Sequence, residues 1–235
     1  LYYPPIGRSF HPQTPFHNQP TRFRPRTPLI IPFTTNETFL IQTALSYIAA
    51  GWPREDIIIL DNSGTMDANP REELPKDNPS HLSYQKLRKD YGISVLQTPT
   101  LLTFAQTQKF MLRLAISKEW RTFFWSRPDV VVLSDESASP YRSFYNRTVD
   151  HLLSSQNQNQ KWAAKFFGID VLVLINVDAW RGIGQWDTFL PHYNTHCDAY
   201  GRANIMGYAI ENVTAGWAFT VASALDDPET VLFPP

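Results

Sequence analysis

Two unbroken apolar runs, Leu29-Ile30-Ile31-Pro32-Phe33 and Ile57-Ile58-Ile59-Leu60, constrain this chain more than any other feature. A strand with one wet face alternates apolar and polar residues, so a continuous apolar run marks a strand covered on both faces. Between the runs, Phe39, Leu40, Ala44, Tyr47 and Ile48 recur at helical spacing. Thr34-Thr35-Asn36 supplies capping side chains before that helix, and Gly51-Trp52-Pro53 stops it. Strand, helix, strand at this spacing is a βαβ unit with parallel strands.

The same rhythm continues downstream. Ile93-Ser94-Val95-Leu96 predicts a third strand, and residues 103–117, carrying Phe104, Phe110, Met111 and Leu114, a second helix. Thr122-Phe123-Phe124-Trp125 predicts a fourth strand ending at Arg127-Pro128-Asp129, with Val130-Val131-Val132-Leu133 continuing beyond it. Residues 65–90 read as a polar loop, Gln156-Asn157-Gln158-Asn159-Gln160 as a solvated loop, and Trp162 to Ile175 as further strand. Alternating strands and helices give an α/β class: an open, mostly parallel sheet flanked by helices. A chain of 235 residues with 43% hydrophobic content supports one core, so one domain is expected over residues 28–235. Before it, residues 1–27 form an extended Pro-rich arm whose Tyr2, Tyr3, Phe10, Phe16 and Phe23 are expected to pack on the domain.

With 21 Lys+Arg against 22 Asp+Glu, no global field recruits nucleic acid or a membrane surface, and partners must be read from local sites. No stretch approaches the roughly 20 apolar residues of a membrane span, so membrane attachment is expected only through an anchor outside these residues. Cys197 is the single cysteine, which rules out an internal disulfide, and no paired His spacing offers a zinc site. Asn-x-Thr sequons at Asn36, Asn146 and Asn212 are compatible with a secretory lumen. The absence of Gly-x-Gly-x-x-Gly, Walker and Gly-x-Ser-x-Gly motifs speaks against dinucleotide enzymes, P-loop NTPases and α/β-hydrolases.

What remains is carboxylates at strand ends, where open α/β sheets bind ligands. Asp61-Asn62 closes the second strand, and a carboxylate there accepts hydrogen bonds from ribose hydroxyls or a base N–H. Asp61-Asn62-Ser63-Gly64 is equally a sequence that favours a tight turn.

The stretch Pro28-Leu29-Ile30-Ile31-Pro32-Phe33-Thr34-Thr35-Asn36, followed by Ile58-Ile59-Leu60-Asp61-Asn62-Ser63, resembles the opening of GT-A-fold glycosyltransferases of the family-2 type. Val177 through Asp187, then Asp198-Ala199-Tyr200-Gly201-Arg202 and Gly207-Tyr208, is similar to that family's acceptor-side segment, with a Cys-Asp-x-Tyr element as in fungal members. The resemblance implies an inverting transferase that moves a sugar from a UDP- or GDP-linked donor to a glycan or other hydroxyl acceptor, in the Golgi or ER lumen. It puts donor contacts on Pro32, Thr34, Asp61, Asn62, Lys109, Arg127 and Asp129. Gln106 and Lys109 fall on the helix that lines the family's donor pocket; Lys109 either meets a phosphate or is a plain surface lysine.

The family's Asp-x-Asp falls on Arg127-Pro128-Asp129. Asp129 keeps the carboxylate expected to hold Mn2+ or Mg2+, but a guanidinium replaces the first acid and would repel such an ion. Either Arg127 neutralises the diphosphate itself, without metal, or donor binding is lost; alternatively Arg127 is a structural partner of Asp129 or Asp135. Asp135-Glu136 is a second acidic pair, too far along to match the family position. The family's catalytic base falls on His196, whose ordinary pKa near 6.5 suits either a base or a structural ring. Asp187 and Asp198 are the segment's other catalytic candidates. Asp187 would bond acceptor hydroxyls beside a sugar-stacking Trp186, or else Trp186 is core and Asp187 caps a helix. The substituted positions leave a further alternative, a weak or inactive GT-A domain that binds a nucleotide-sugar or glycan. A nucleotidyltransferase would need a Gly-rich phosphate loop after the first strand, and none is present.

Overall fold

The structure is a computed structural model that describes residues 13–20, 24–157, 161–168, 170–190 and 192–221. In chain order the elements are β1 (Leu29–Phe33), α1 (Glu37–Ala49), β2 (Ile57–Asp61), α2 (Tyr84–Lys89), β3 (Ser94–Gln97), α3 (Phe104–Ser117) and β4 (Thr122–Ser126). They continue with β5 (Val130–Leu133), α4 (Phe144–Asn157), β6 (Trp162–Phe166), β7 (Leu172–Asn176), α5 (Val177–Ile183), α6 (His192–Ile205), β8 (Ala209–Asn212) and β9 (Trp217–Thr220). Seven strands form one sheet in the order β3-β2-β1-β4-β7-β6-β8, and β5 pairs with β9 in a small second sheet. The first four strands are parallel; β7 runs antiparallel to both β4 and β6, and β8 is parallel to β6.

The unbroken apolar strands are covered on both faces, as their composition demands. Leu29, Ile31, Ile57, Ile59 and Phe124 point into a core shared with α1, α2 and α4. Ile30, Leu60, Phe123 and Trp125 point the other way, into a core shared with α3, α5 and α6. Period-two alternation thus divides one sheet between two helical layers. Trp52 anchors the first layer, edge-on to Tyr47, Phe124 and Tyr145, with its indole N–H donated to Thr27 O at 3.1 Å.

Four expectations are corrected. Residues 130–133 do not extend β4. Pro128 has no N–H for a ladder, and Thr43 Oγ1 donates to Pro128 O (2.8 Å) and accepts from Val130 N (2.9 Å), turning the chain out into the second sheet. The polar segment 65–90 contains α2, capped by Ser83, whose hydroxyl accepts from Lys86 N. Gln156 and Asn157 belong to α4, while 158–160 lie outside the described residues. Trp162 to Ile175 is two antiparallel strands that reverse near Gly168, whose φ of 100° favours glycine.

Within the arm, Thr14 and Asn18 donate to Ile48 O and Ala49 O at the end of α1, yet Phe16 is 88% exposed and does not pack as expected. Tyr2, Tyr3, Phe10 and Phe23 lie outside the described residues. Among those residues, no helix is long and apolar enough to cross a membrane.

Candidate functional site

The carboxyl ends of β1, β2 and β4 meet the start of α3 around a cavity of about 300 Å³. Pro32, Thr34 and Thr35 come from the β1 end, Asn62 from β2, and Trp125, Ser126 and Arg127 from β4. Phe104, Thr107 and Gln108 come from α3.

The walls are held by polar side chains that use their whole capacity. Asn62 accepts from Leu102 N (2.8 Å) and Thr98 Oγ1 (3.0 Å) and donates to Leu102 O (3.0 Å) and Thr107 Oγ1 (3.4 Å), fixing the entry to α3 against β2. Thr103 and Gln106 then close a capping box at the helix start. Tyr47 donates to Ser126 Oγ (2.9 Å), which donates to Arg127 O (3.0 Å), fixing the β4 end; burial pushes the Tyr47 phenol above its ordinary range and keeps it a donor.

Two residues of this lining carry a buried polar atom that has no partner. Gln108 is 1% and Trp125 4% exposed, and neither Gln108 Oε1 nor Trp125 Nε1 makes a hydrogen bond. In folded proteins such atoms are uncommon and cost stability.

Asp61 sits just behind the cavity and does not line it. Its Oδ1 accepts from Ser63 N (3.0 Å) and Ser63 Oγ (2.6 Å), and its Oδ2 from Tyr84 Oη (2.9 Å) and Asn69 Nδ2 (3.2 Å). Burial first, and then the Asp61 charge, hold the Tyr84 phenol above its ordinary range. The carboxylate expected to meet ribose or base is the hub of the 61–84 loop, so the turn reading of Asp61-Asn62-Ser63-Gly64 holds for its hydrogen bonds.

At the β4 end, Arg127 grips Asp129 with both prongs, Nε to Oδ1 and Nη2 to Oδ2, each 2.9 Å. Arg127 is half exposed and lines the cavity mouth; Asp129 does not line it. This donor set does not fit a divalent ion. Both Asp129 oxygens are taken by a guanidinium, and no group of three or more His, Cys, Asp or Glu side chains converges among the described residues. Asp135 is engaged with Ser137, whose hydroxyl donates to its carboxylate at 2.6 Å and is the main cause holding its pKa below the usual range.

On α3 the helical phase differs from the expected one. Phe104, Thr107 and Gln108 share the cavity face at i, i+3 and i+4; Lys109 lies off it, and the Gln106 side chain accepts from Thr103 N. The signal that would have found this face was present: Thr107 and Gln108 are polar residues on the buried side of an otherwise apolar helix.

The acceptor-side segment is packed on itself. Asn176 caps α5, Gly184 at φ 96° ends it, and Trp186 turns back to stack on Trp180, centroids 4.1 Å apart and planes within 13°. Trp186 is only 2% exposed, so it is core and not a sugar platform. Arg202 donates to Asp198 Oδ2 from Nε (3.0 Å) and Nη2 (2.7 Å), and to Ile183 O and Gln185 O, clamping α6 to the end of α5. Asp187 is exposed and accepts from Phe189 N at 2.9 Å, while its carbonyl accepts from Thr195 Oγ1. The His196 ring meets Phe104 edge-on at 4.4 Å and stacks on Tyr200 at 5.6 Å. His196 therefore lies against a wall residue of the cavity but does not line it.

The structure thus gathers Pro32, Thr34, Asn62 and Arg127 at one cavity, places Asp61 and Asp129 just behind it, and leaves Lys109, Asp187 and Asp198 off its lining. Thr35, Phe104, Thr107, Gln108, Trp125 and Ser126 also line it without having been expected there.

No protein-family model matches the sequence, and no curated protein matches it. Solved structures do. A mannosyltransferase from Pyrobaculum calidifontis, in complex with GDP-Man and Mn2+, is similar over 82% of this chain and 56% of its own, at 13% identity and a TM-score of 0.54. GalNAc-T7 with UDP, GalNAc and Mn2+ is similar over 83% of this chain and 42% of its own, at 12% identity and a TM-score of 0.52. The fold is GT-A-like. S. aureus TarS is similar over 80% of this chain and 35% of its own, at 9% identity and a TM-score of 0.50. The GT-A-like chain spans about half or less of the length of these structures, and what it shares with them is the fold.

Proposed function

We propose that this GT-A-like domain binds a nucleoside diphosphate sugar and passes its sugar to a hydroxyl acceptor by inverting displacement, as a transferase of the family-2 type. The observation that carries the reading is the cavity at the ends of β1, β2 and β4 with the Arg127 cation at its mouth. Open α/β sheets bind nucleotides at this place, and two proteins similar in fold form complexes with GDP-Man or with UDP.

Arg127 supplies the positive charge that the diphosphate needs. A guanidinium has five N–H donors. Asp129 takes two, so three remain for phosphate oxygens. With Asp129 committed to Arg127, charge neutralisation runs through the guanidinium. In the displacement the acceptor oxygen bonds to the anomeric carbon, the carbon–phosphate oxygen bond breaks with its electron pair leaving on the diphosphate, and the acceptor proton passes to a base. We assign that base to His196, on its place against the cavity wall at Phe104. A second reading, a GT-A domain that binds the nucleotide-sugar without turning it over, is favoured by the Arg202 clamp on Asp198 and the burial of Trp186.

Calorimetric titration with UDP, GDP and their sugars, with and without Mn2+, tests the donor reading. Nucleotide binding that is unchanged by Mn2+ is expected, and failure to bind any of these ligands would overturn it. Sugar release over time then separates transferase from binding module, with His196→Ala expected to abolish release while nucleotide affinity stays as in the parent.

A further inference from the structure

Resting on the nucleotide-donor reading above, we infer that Gln108 and Trp125 read the donor's nucleobase, taking as their ligand an edge that carries an N–H beside a C=O. The strand-end acid Asp61, whose four hydrogen bonds all go to Ser63, Asn69 and Tyr84, is not available for that contact.

The inference starts from how polar capacity is distributed around the cavity. Asn62 makes four hydrogen bonds to its own chain. Thr107 Oγ1 donates to Thr103 O at 2.9 Å, and Ser126 links Tyr47 to Arg127 O. Thr34 and Thr35 stand exposed at the mouth. Gln108 Oε1 and Trp125 Nε1 are the buried side-chain atoms of the lining left without a partner among the described residues, one an acceptor and the other a donor. Other buried polar atoms without a partner, Trp120 Nε1 and Gln185 Oε1 among them, belong to residues that do not line this cavity. An acceptor and a donor kept dry in a cavity wall match a ligand that brings one donor and one acceptor.

Shape and charge choose between the parts of the donor. A sugar or ribose brings a hydroxyl on nearly every carbon, and two buried polar atoms would leave most of them unpaired. A diphosphate needs cations, and Arg127, the cation of the lining, sits half exposed at the mouth. A nucleobase is flat and mostly apolar on its faces, with its polar atoms on one edge. The cavity offers aromatic walls at Phe104 and Trp125, set edge to face at 6.1 Å, for such a ring. A volume of about 300 Å³ is at the low end for a small-ligand pocket. It holds the base end of a nucleotide-sugar and leaves the diphosphate to reach Arg127. With Gln108 Oε1 accepting and Trp125 Nε1 donating, uracil and guanine match through a ring N–H beside a C=O; adenine and cytosine offer the pair in the opposite order, and the UDP- or GDP-linked donor of the reading above selects the first order.

The test is calorimetric titration of the full chain with UDP, GDP, CDP and ADP, for the parent and for Gln108→Leu and Trp125→Phe. The parent is expected to favour UDP or GDP over CDP and ADP. Each substitution is expected to weaken the preferred nucleotide by about tenfold and to bring the four affinities together. Gln108→Leu removes an unpartnered buried atom at nearly constant volume, so its ligand-free melting temperature should stay level or rise, whereas Trp125→Phe also removes buried ring volume and should melt somewhat lower. Variants that keep the parent's affinities, or that lose all four nucleotides by the same factor, would overturn the inference and leave the donor reading standing. A parent that prefers ADP or CDP would overturn the assigned edge. A parent that binds no nucleotide would overturn the donor reading and this inference with it.

Discussion

At the ends of β1, β2 and β4, rigid walls surround a cavity whose lining residues include two with buried polar atoms left without partners; between α5 and α6, the nominated side chains close on one another. Gln108 Oε1 and Trp125 Nε1 make no hydrogen bond, whereas Asp198 is held by Arg202, Trp186 lies on Trp180, and Asp187 accepts from Phe189 N. Both places carry the residue types that sugar chemistry uses. Each keeps buried atoms without a partner, Gln185 Oε1 and Trp186 Nε1 in the second, but only those of the first belong to residues that line the cavity. Residue type nominates a site, but unpaired capacity on residues that also line a cavity decides which site is ready for a ligand.

The largest expected effect probes the closed segment. Trp186→Ala removes a fully packed indole and its stacking on Trp180, so denaturant unfolding should show a loss of about 3–5 kcal/mol. A loss well under 1 kcal/mol, accompanied by weaker acceptor binding, would return Trp186 to the role of a sugar platform and erase the contrast.

Next is Asp61, where the open side borders on a structural hub. Asp61→Ala leaves Tyr84 Oη and Asn69 Nδ2 without their buried acceptor, a cost of about 1–3 kcal/mol in the same measurement. The alkaline limb should shift as well. The Tyr84 phenol is raised in the folded state, by burial and then by the Asp61 charge. Its contribution to stability is therefore fully present below the unfolded tyrosine value near pH 10 and is lost as pH rises above it. Removing Asp61 takes away one cause of the raised value, so tyrosinate absorbance should appear at lower pH in the variant. An unchanged stability and tyrosinate titration would free Asp61 to contact a donor after all.

These two residues also show what was legible in the sequence. β1, α1 and β2 could be read almost to the residue, because apolar runs, capping residues and a Gly-Trp-Pro stop are local signals. The departure of β5 from β4 was not, since it depends on Thr43, more than eighty residues away along the chain, binding the Pro128 turn. α4 was missed because its buried face is formed by Phe144, Tyr145, Val149 and Leu152 scattered among polar residues. At the site, sequence located the strand ends correctly but could not say that Asp61 and Asn62 would be spent on their own loops. Trp125 read only as the end of the fourth strand, since nothing local shows that it would line a cavity. Gln108 needed the phase of α3, which only the observed start at Phe104 supplies.

The smallest effect on the fold, and the sharpest on the open side, is expected at Arg127. Its ion pair with Asp129 is half exposed, and pairs of that kind contribute about 0–1 kcal/mol, so Arg127→Ala should unfold close to the parent. Nucleoside diphosphate affinity should nonetheless fall by about tenfold, because the charge at the cavity mouth is gone. Arg127→Lys separates charge from shape: an ammonium restores the charge but cannot grip Asp129 and phosphate at once with a planar fork. It should therefore recover part of the lost affinity and none of the two-pronged Asp129 contact. Full recovery by lysine would reduce Arg127 to a point charge. Arg127→Asp carries the comparison further, because it removes the cation and frees Asp129 to act beside a second acid. Gain of Mn2+-dependent nucleotide binding in that variant would show that the guanidinium alone keeps this strand end from taking a metal.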